Sequence, residues 1–243
     1  MHPLKHLIAQ SYYFGTVGYR RWVNYRDASA GRAPIILPVF HRIADDRANP
    51  WTTSTAVFAK AIRWLKAHFD LISLEEAQRR IRSCKVIRPA VSITFDDGYA
   101  VNSETALEVL LEEKVPCTYF VTAGPILERS YFEHDLRMGN RFAPNTVDQL
   151  RDMSDAGIEI GAHTRTHADL GNLTDRSQLV DELVVARSEL EDALGRSVRY
   201  FAFPYGAHHN LSAEAFRLAK EVGYAGVCSN YGGYNHRALS SLI

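Results

Sequence analysis

Ser92-Ile93-Thr94-Phe95-Asp96-Asp97-Gly98 is a short apolar and β-branched run that ends in two adjacent carboxylates and a glycine. Such a run favours a buried strand, and the glycine lets the chain turn away at its end. Neighbouring residues of an extended segment point to opposite sides. Asp96 and Asp97 are therefore expected to divide their work, one toward a metal and the other toward substrate or water. Taken alone, Asp-Asp-Gly is also an ordinary turn.

The same grammar recurs on both sides of this stretch. Short apolar runs at 35–40, 91–95, 117–122, 158–162, 200–203 and 224–228, with a weaker one at 71–73, read as strands. Between them, 57–68, 74–81, 103–113, 147–156, 176–194 and 213–222 carry apolar residues at helical spacing. Asp181, Glu182, Glu189 and Glu191 in the fifth of these read as a solvated face. Gly157 and Gly223 directly follow helical patterns, where a C-terminal cap needs positive φ. Strands alternating with helices imply a parallel sheet. The roughly seven strands, with no G-x-G-x-x-G or phosphate loop, fit one α/β domain built as a (β/α) barrel better than a nucleotide-binding open sheet.

In a barrel, chemistry collects where strands end at the C-terminal rim. There, after 158–162, comes His163-Thr164-Arg165-Thr166-His167. Histidines at i and i+4 share a face if the segment is a helical turn, so both imidazoles can reach one ion; two solvated or core histidines are the plainer alternative. A third strand end, Phe203-Pro204-Tyr205-Gly206, can aim a backbone N–H at an oxyanion, or simply be an aromatic strand ending in a turn. The segment 128–145, with Tyr131, Phe132, His134, Arg137, Arg141 and Phe142, could line a sugar cleft or merely connect elements.

Composition narrows the partners. The 28 basic and 28 acidic residues of the 243 cancel, so no global field recommends nucleic acid or an anionic membrane. Cys84, Cys117 and Cys228 are odd in number and far apart, which argues against a disulfide framework and suits small buried hydrophobes. No stretch approaches the roughly 20 apolar residues that span a bilayer, and no secretory signal is legible. The chain is expected in the cytoplasm or peripheral to a membrane. Residues 1–33, ending in a linker-like 28–34 stretch, form a helical extension expected to pack across the end of the domain. An interfacial helix rich in Tyr, Trp and Arg is the alternative.

Thr94-Phe95-Asp96-Asp97-Gly98, His163-Thr-Arg-Thr-His167 and Phe203-Pro204-Tyr205-Gly206, in that order, resemble the first three motifs of the polysaccharide deacetylases of carbohydrate esterase family four, the NodB-homology domain. The resemblance runs from about residue 35 to 235, and the barrel domain is expected to occupy 34–243. It implies a distorted (β/α)7 or (β/α)8 barrel and a metal-dependent hydrolase that removes N-acetyl groups from an N-acetylglucosamine-type glycan. By position, Asp96 is similar to the family's general base, and Asp97, His163 and His167 to its metal ligands. Tyr205 is similar to the tyrosine whose backbone N–H helps hold the oxyanion. Two imidazoles and a carboxylate suit a divalent ion, zinc by donor type, with coordination positions left open.

Two positions depart from the pattern. Phe203 stands where an arginine usually orients the catalytic aspartate, and no late Leu-x-x-His supplies a general acid. His41, in Leu37-Pro38-Val39-Phe40-His41, resembles an early histidine that takes the acid role in a circularly rearranged branch acting on poly-N-acetylglucosamine; His236 is the alternative. Competing functions are an amidase or deformylase of the same fold on a non-sugar amide, and a catalytically inactive carbohydrate-binding barrel. Oligomeric state has no signature in the sequence.

Overall fold

The computed structural model describes residues 11–83, 85–233 and 235. The strands are β1 (Ile35–Ile36), β2 (Val39–Phe40), β3 (Arg42–Ile43), β4 (Thr52–Thr53), β5 (Asp70–Leu71), β6 (Ala90–Val91), β7 (Ile93–Phe95), β8 (Cys117–Val121), β9 (Glu159–Ala162), β10 (Tyr200–Ala202) and β11 (Gly226–Cys228). All the ladders are parallel, and six strands line up as β11-β10-β9-β8-β7-β2. Order along the sheet thus follows order along the chain, as in a singly wound barrel rather than a doubly wound sheet. The expected strand 35–40 is broken into β1 and β2, since Pro38 has no N–H to donate to a ladder.

Among the described residues, the sheet curls without closing through strands. Across the gap, Gln78 on the helix Leu74–Ser83 donates its amide to Ala225 O at 2.8 Å, and Asn235 N–H donates to Ile35 O at 3.2 Å. β8 is buried at all five residues, as a strand covered on both faces must be. Tyr119 and Val121 join the main core under the helices, whereas Phe120 packs inside the curl with Leu74, Tyr200 and Ala202.

The helical patterns form where the spacing placed them, with ends set by local chemistry. Thr146 and Gln149 make a reciprocal capping box at the start of Val147–Asp155, and Gly157 and Gly223 both carry positive φ. The 176–194 pattern is one helix interrupted by a π segment, Asp181–Val185. Its carboxylates are not all solvated: Glu182 is 6 % exposed. No residue of the helix Val17–Ser29 is fully buried, and Tyr19, Trp22 and Tyr25 are exposed, while Ala28 near its end packs against the core cluster of Ile35, Ala77 and Ala90. Cys117 is buried as expected and Cys228 half-buried, both as free thiols; Cys84 and His236 lie outside the described residues.

Candidate metal and catalytic site

Asp96 and Asp97 follow β7 directly. Asp96 continues the ladder, donating its N–H to Phe40 O at 2.9 Å. Asp97 does not stay extended as expected; it turns left-handed at φ 75°. Its carbonyl accepts Thr122 N–H at 3.0 Å, which ties the turn to the end of β8. Gly98, at φ 100°, is pressed against Val121 and Ile126, and a Cβ there would lie 3.2 Å from their side chains. The two carboxylates separate because the backbone kinks between them.

His163 and His167 come together by a different route from the helical turn expected. The segment after β9 is a loop in which Thr164 and His167 are both left-handed, at φ 64°. Such backbone is costly for a non-glycine residue, and most of all for a β-branched one. Glu182 holds it in place, accepting Arg165 N–H and Thr166 N–H at 2.9 Å each and the Thr166 hydroxyl at 2.6 Å. The Thr164 hydroxyl accepts His167 N–H at 2.9 Å.

Among the described residues, Asp97, His163 and His167 form a group whose ligand atoms lie within 4.8 Å of one another. Asp97 Oδ1 is 3.7 Å from His163 Nε2 and 3.2 Å from His167 Nε2, yet it is buried with no hydrogen-bond partner. A carboxylate oxygen and two imidazole nitrogens converging on one point fit a cation. The outer contact agrees: His163 Nδ1 lies 2.9 Å from Ala202 O, and its N–H there leaves Nε2 free to ligate. Burial pushes the His163 pKa down to about 3, assisted by His167, so the ring is neutral. Burial opposes charge on Asp97, but His167, His163 and His41 hold its pKa below the ordinary value.

Asp96 is 8 % exposed, and among the described residues its carboxylate has no hydrogen-bond partner. Burial, reinforced by the Asp97 charge, raises its pKa well above the usual carboxylate range. Phe203 does nothing to orient it: the ring is buried against Phe201 and Phe216 in the core. Tyr205 is left-handed at φ 60°, and its ring meets His167 edge-on at 4.9 Å. Among the described residues its backbone N–H has no acceptor. Gly206 beside it is crowded by Asn230, whose backbone nitrogen stands where a Cβ would need to be.

His41 sits between β2 and β3. Asn102, fully buried, fixes that stretch by donating to His41 O at 2.6 Å and accepting Ile43 N–H at 2.8 Å. Burial lowers the His41 pKa, and the charges of Asp97 and His167 both act on it, which puts it in the same pocket. The structure also brings in Trp51, which sequence reasoning had not singled out, and His134, which it had named as lining either a sugar cleft or an ordinary connection. Trp51 stands between His41 and His134, ring centroids 6.5 and 5.6 Å away, and the His134 ring lies 4.8 Å from that of His167. No spacing signal marks them, because Trp51 reaches the site from the turn before β4 and His134 from the short helix Glu133–Arg137.

Among curated proteins, the chain is 23% identical over 193 residues to a Bacillus subtilis protein named putative polysaccharide deacetylase YxkH, covering 79% of this chain and 63% of that protein. It is 26% identical over 168 residues to a Staphylococcus aureus poly-beta-1,6-N-acetyl-D-glucosamine N-deacetylase, covering 64% of this chain and 54% of that protein. The chain thus spans between half and two thirds of the length of these relatives. Two solved structures share the fold. One is IcaB from Ammonifex degensii, with TM-score 0.68, 23% identity and coverage of 81% of this chain and 83% of that one. The other is a de-N-acetylase from Aggregatibacter actinomycetemcomitans, with TM-score 0.70, 19% identity and coverage of 86% and 92%. The family model described as polysaccharide deacetylase matches residues 85–227, more than half of the chain. A match of that extent, over the segment that carries all three strand-end clusters, makes this chain a member of the polysaccharide deacetylase family.

Proposed function

We propose that this protein is a metal-dependent hydrolase that removes N-acetyl groups from an N-acetylglucosamine-type poly- or oligosaccharide, releasing acetate and a free amine. The observation that carries the reading is the buried, unpartnered Asp97 Oδ1 facing His163 Nε2 and His167 Nε2. These three side chains would hold a divalent ion, zinc by donor type. When bound, such an ion supplies Lewis acidity toward water and a carbonyl.

An acetamide is a weak electrophile with a poor leaving group, so the rest falls to the chain's own residues. Asp96, raised in basicity by burial and by its neighbour, takes the proton of the attacking water. The Tyr205 N–H donates to the oxygen on which charge develops. His41 hands a proton to the departing nitrogen. The carbon–nitrogen bond breaks as the carbon–oxygen bond is kept.

Residues 34–243 would make up the catalytic barrel, with 1–33 as an extension. No helix among the described residues is long and apolar enough to cross a membrane. The chain would work in the cytoplasm or at a membrane surface, and the exposed aromatic and arginine side chains of Val17–Ser29 suit the second. Metal analysis of protein purified without chelators, followed by an acetate-release screen over poly-N-acetylglucosamine, chitin oligomers and peptidoglycan fragments, tests the proposal. One bound ion and acetate from a glycan are expected; metal without glycan turnover would favour a non-sugar amide, and absence of metal would sink the reading.

A further inference from the structure

The segment between β8 and β9 is bolted to the site through a buried polar network. Asp135 is fully buried, accepting the Tyr99 hydroxyl at 2.7 Å and the Asn49 amide at 3.0 Å. Tyr99 has one proton, and the short contact to Asp135 claims it. Its oxygen then accepts from its two nearest remaining neighbours, Trp51 Nε1–H at 3.0 Å and His134 Nε2 at 3.0 Å, with the Asn49 amide more distant at 3.5 Å. That assignment fills both lone pairs and the single proton of the hydroxyl. It also fixes the His134 tautomer, with its proton on Nε2.

A protonated Nε2 cannot ligate a metal, yet it faces one of the proposed ligands. His134 Nε2 lies 3.8 Å from Asp97 Oδ2, while Oδ1 of the same carboxylate faces His163 and His167. This is beyond hydrogen-bond reach, so the N–H acts as a dipole on the carboxylate charge. The ring does the steric part, meeting His167 at 4.8 Å with Phe132 stacked against it at 5.6 Å. One side chain therefore restrains two ligands from outside the ligand set.

We propose that His134 is a positioning residue of the metal site, anchored through Tyr99 to Asp135 and holding Asp97 and His167 in their ligating rotamers. The inference rests on the metal site of the preceding section. Partners that orient ligands typically change metal affinity by roughly 10- to 100-fold when removed. The test measures Zn²⁺ dissociation constants by chelator competition for the wild type, His134→Ala, His134→Gln, Tyr99→Phe and the His134→Ala/Tyr99→Phe double variant, with thermal unfolding of each metal-free form alongside.

The expected result is at least about tenfold weaker binding for His134→Ala and Tyr99→Phe. The double variant should be little worse than the poorer single one, because both remove the same restraint. His134→Gln, which keeps an N–H at similar reach, should recover most of the affinity. If His134→Ala fails to fold, His134→Gln and Tyr99→Phe carry the comparison. Wild-type-like affinity in folded His134→Ala or Tyr99→Phe, whatever happens to their thermal stability, overturns the proposal while leaving the metal site standing. A wild type that binds no Zn²⁺ overturns both.

Discussion

His163 holds an uncharged imidazole where water cannot reach it. The unfolded chain takes up the corresponding proton near 6.5, whereas the folded protein resists until about 3. Stability from the neutral ring is therefore complete above 6.5 and lost as pH falls through that window. In chelator, unfolding free energies from urea titrations should drop over this range with a slope of up to about 1.4 kcal/mol per pH unit for the single proton. A His163→Asn variant should show a flatter profile. Replacing Asp97, His163 or His167 singly with Ala should lower metal occupancy itself. His41→Ala should leave metal content intact and cut turnover by roughly 10²- to 10⁴-fold; unchanged turnover would remove His41 from the mechanism. Asp96, Asp97, His163, His167 and Tyr205 stood out in the sequence because each follows an apolar run. Trp51 did not, and His134 stood only among several candidates in 128–145, since their role comes from separate segments converging in space.

The helix 176–194 shows why element-level reading was right about presence and wrong about detail. Its leucines at helical spacing place it against the sheet, and Leu179, Leu183, Leu190 and Leu194 are buried. The same spacing assigned Glu182 to solvent, but the π segment Asp181–Val185 turns it toward the histidine loop. Removing that carboxylate takes away the shared acceptor of the part-buried Arg165 and Thr166 donors, at roughly 1 kcal/mol for each hydrogen bond lost. Glu182→Ala should therefore lower the urea midpoint and weaken metal binding together, while Glu182→Gln retains part of both. The opposite holds at the N-terminus. Because no residue of Val17–Ser29 is buried, removing the residues before Asp27 should move Tm by less than about 2 °C, measured by differential scanning fluorimetry.

As a whole, the molecule is a curled sheet whose strand order follows the chain, with the site gathered at one rim from the ends of β2, β7, β9 and β10 and the loops beyond them. The architecture was legible because alternating short apolar runs and amphipathic helices leave few ways to cover both sheet faces. The laced gap between β1 and β11 was not, because it depends on the Gln78 amide and the Asn235 backbone rather than on a periodic pattern. If the proposed ion binds only the folded barrel, excess metal at about 100 times its dissociation constant should add about 2.7 kcal/mol to stability. Tm should rise accordingly by about 5–10 °C over the chelated protein, and an unchanged Tm would argue that the ligands do not converge on an ion in solution.

The π segment also predicts which length changes the gene can tolerate. It holds one more residue per turn than an α-helix would, and each residue of a helix advances its face by about 100°. A single-codon deletion within 181–185 would relax the helix to regular winding and swing Glu182 away from the loop it secures, although every apolar residue beyond it would still find the core. The exposed turn at 195–197 carries no such phase relation, so insertions and deletions should accumulate there and be purged from the bulge. Selection on a library of in-frame single-residue deletions, scored for folded protein and for retained metal, would display that asymmetry directly.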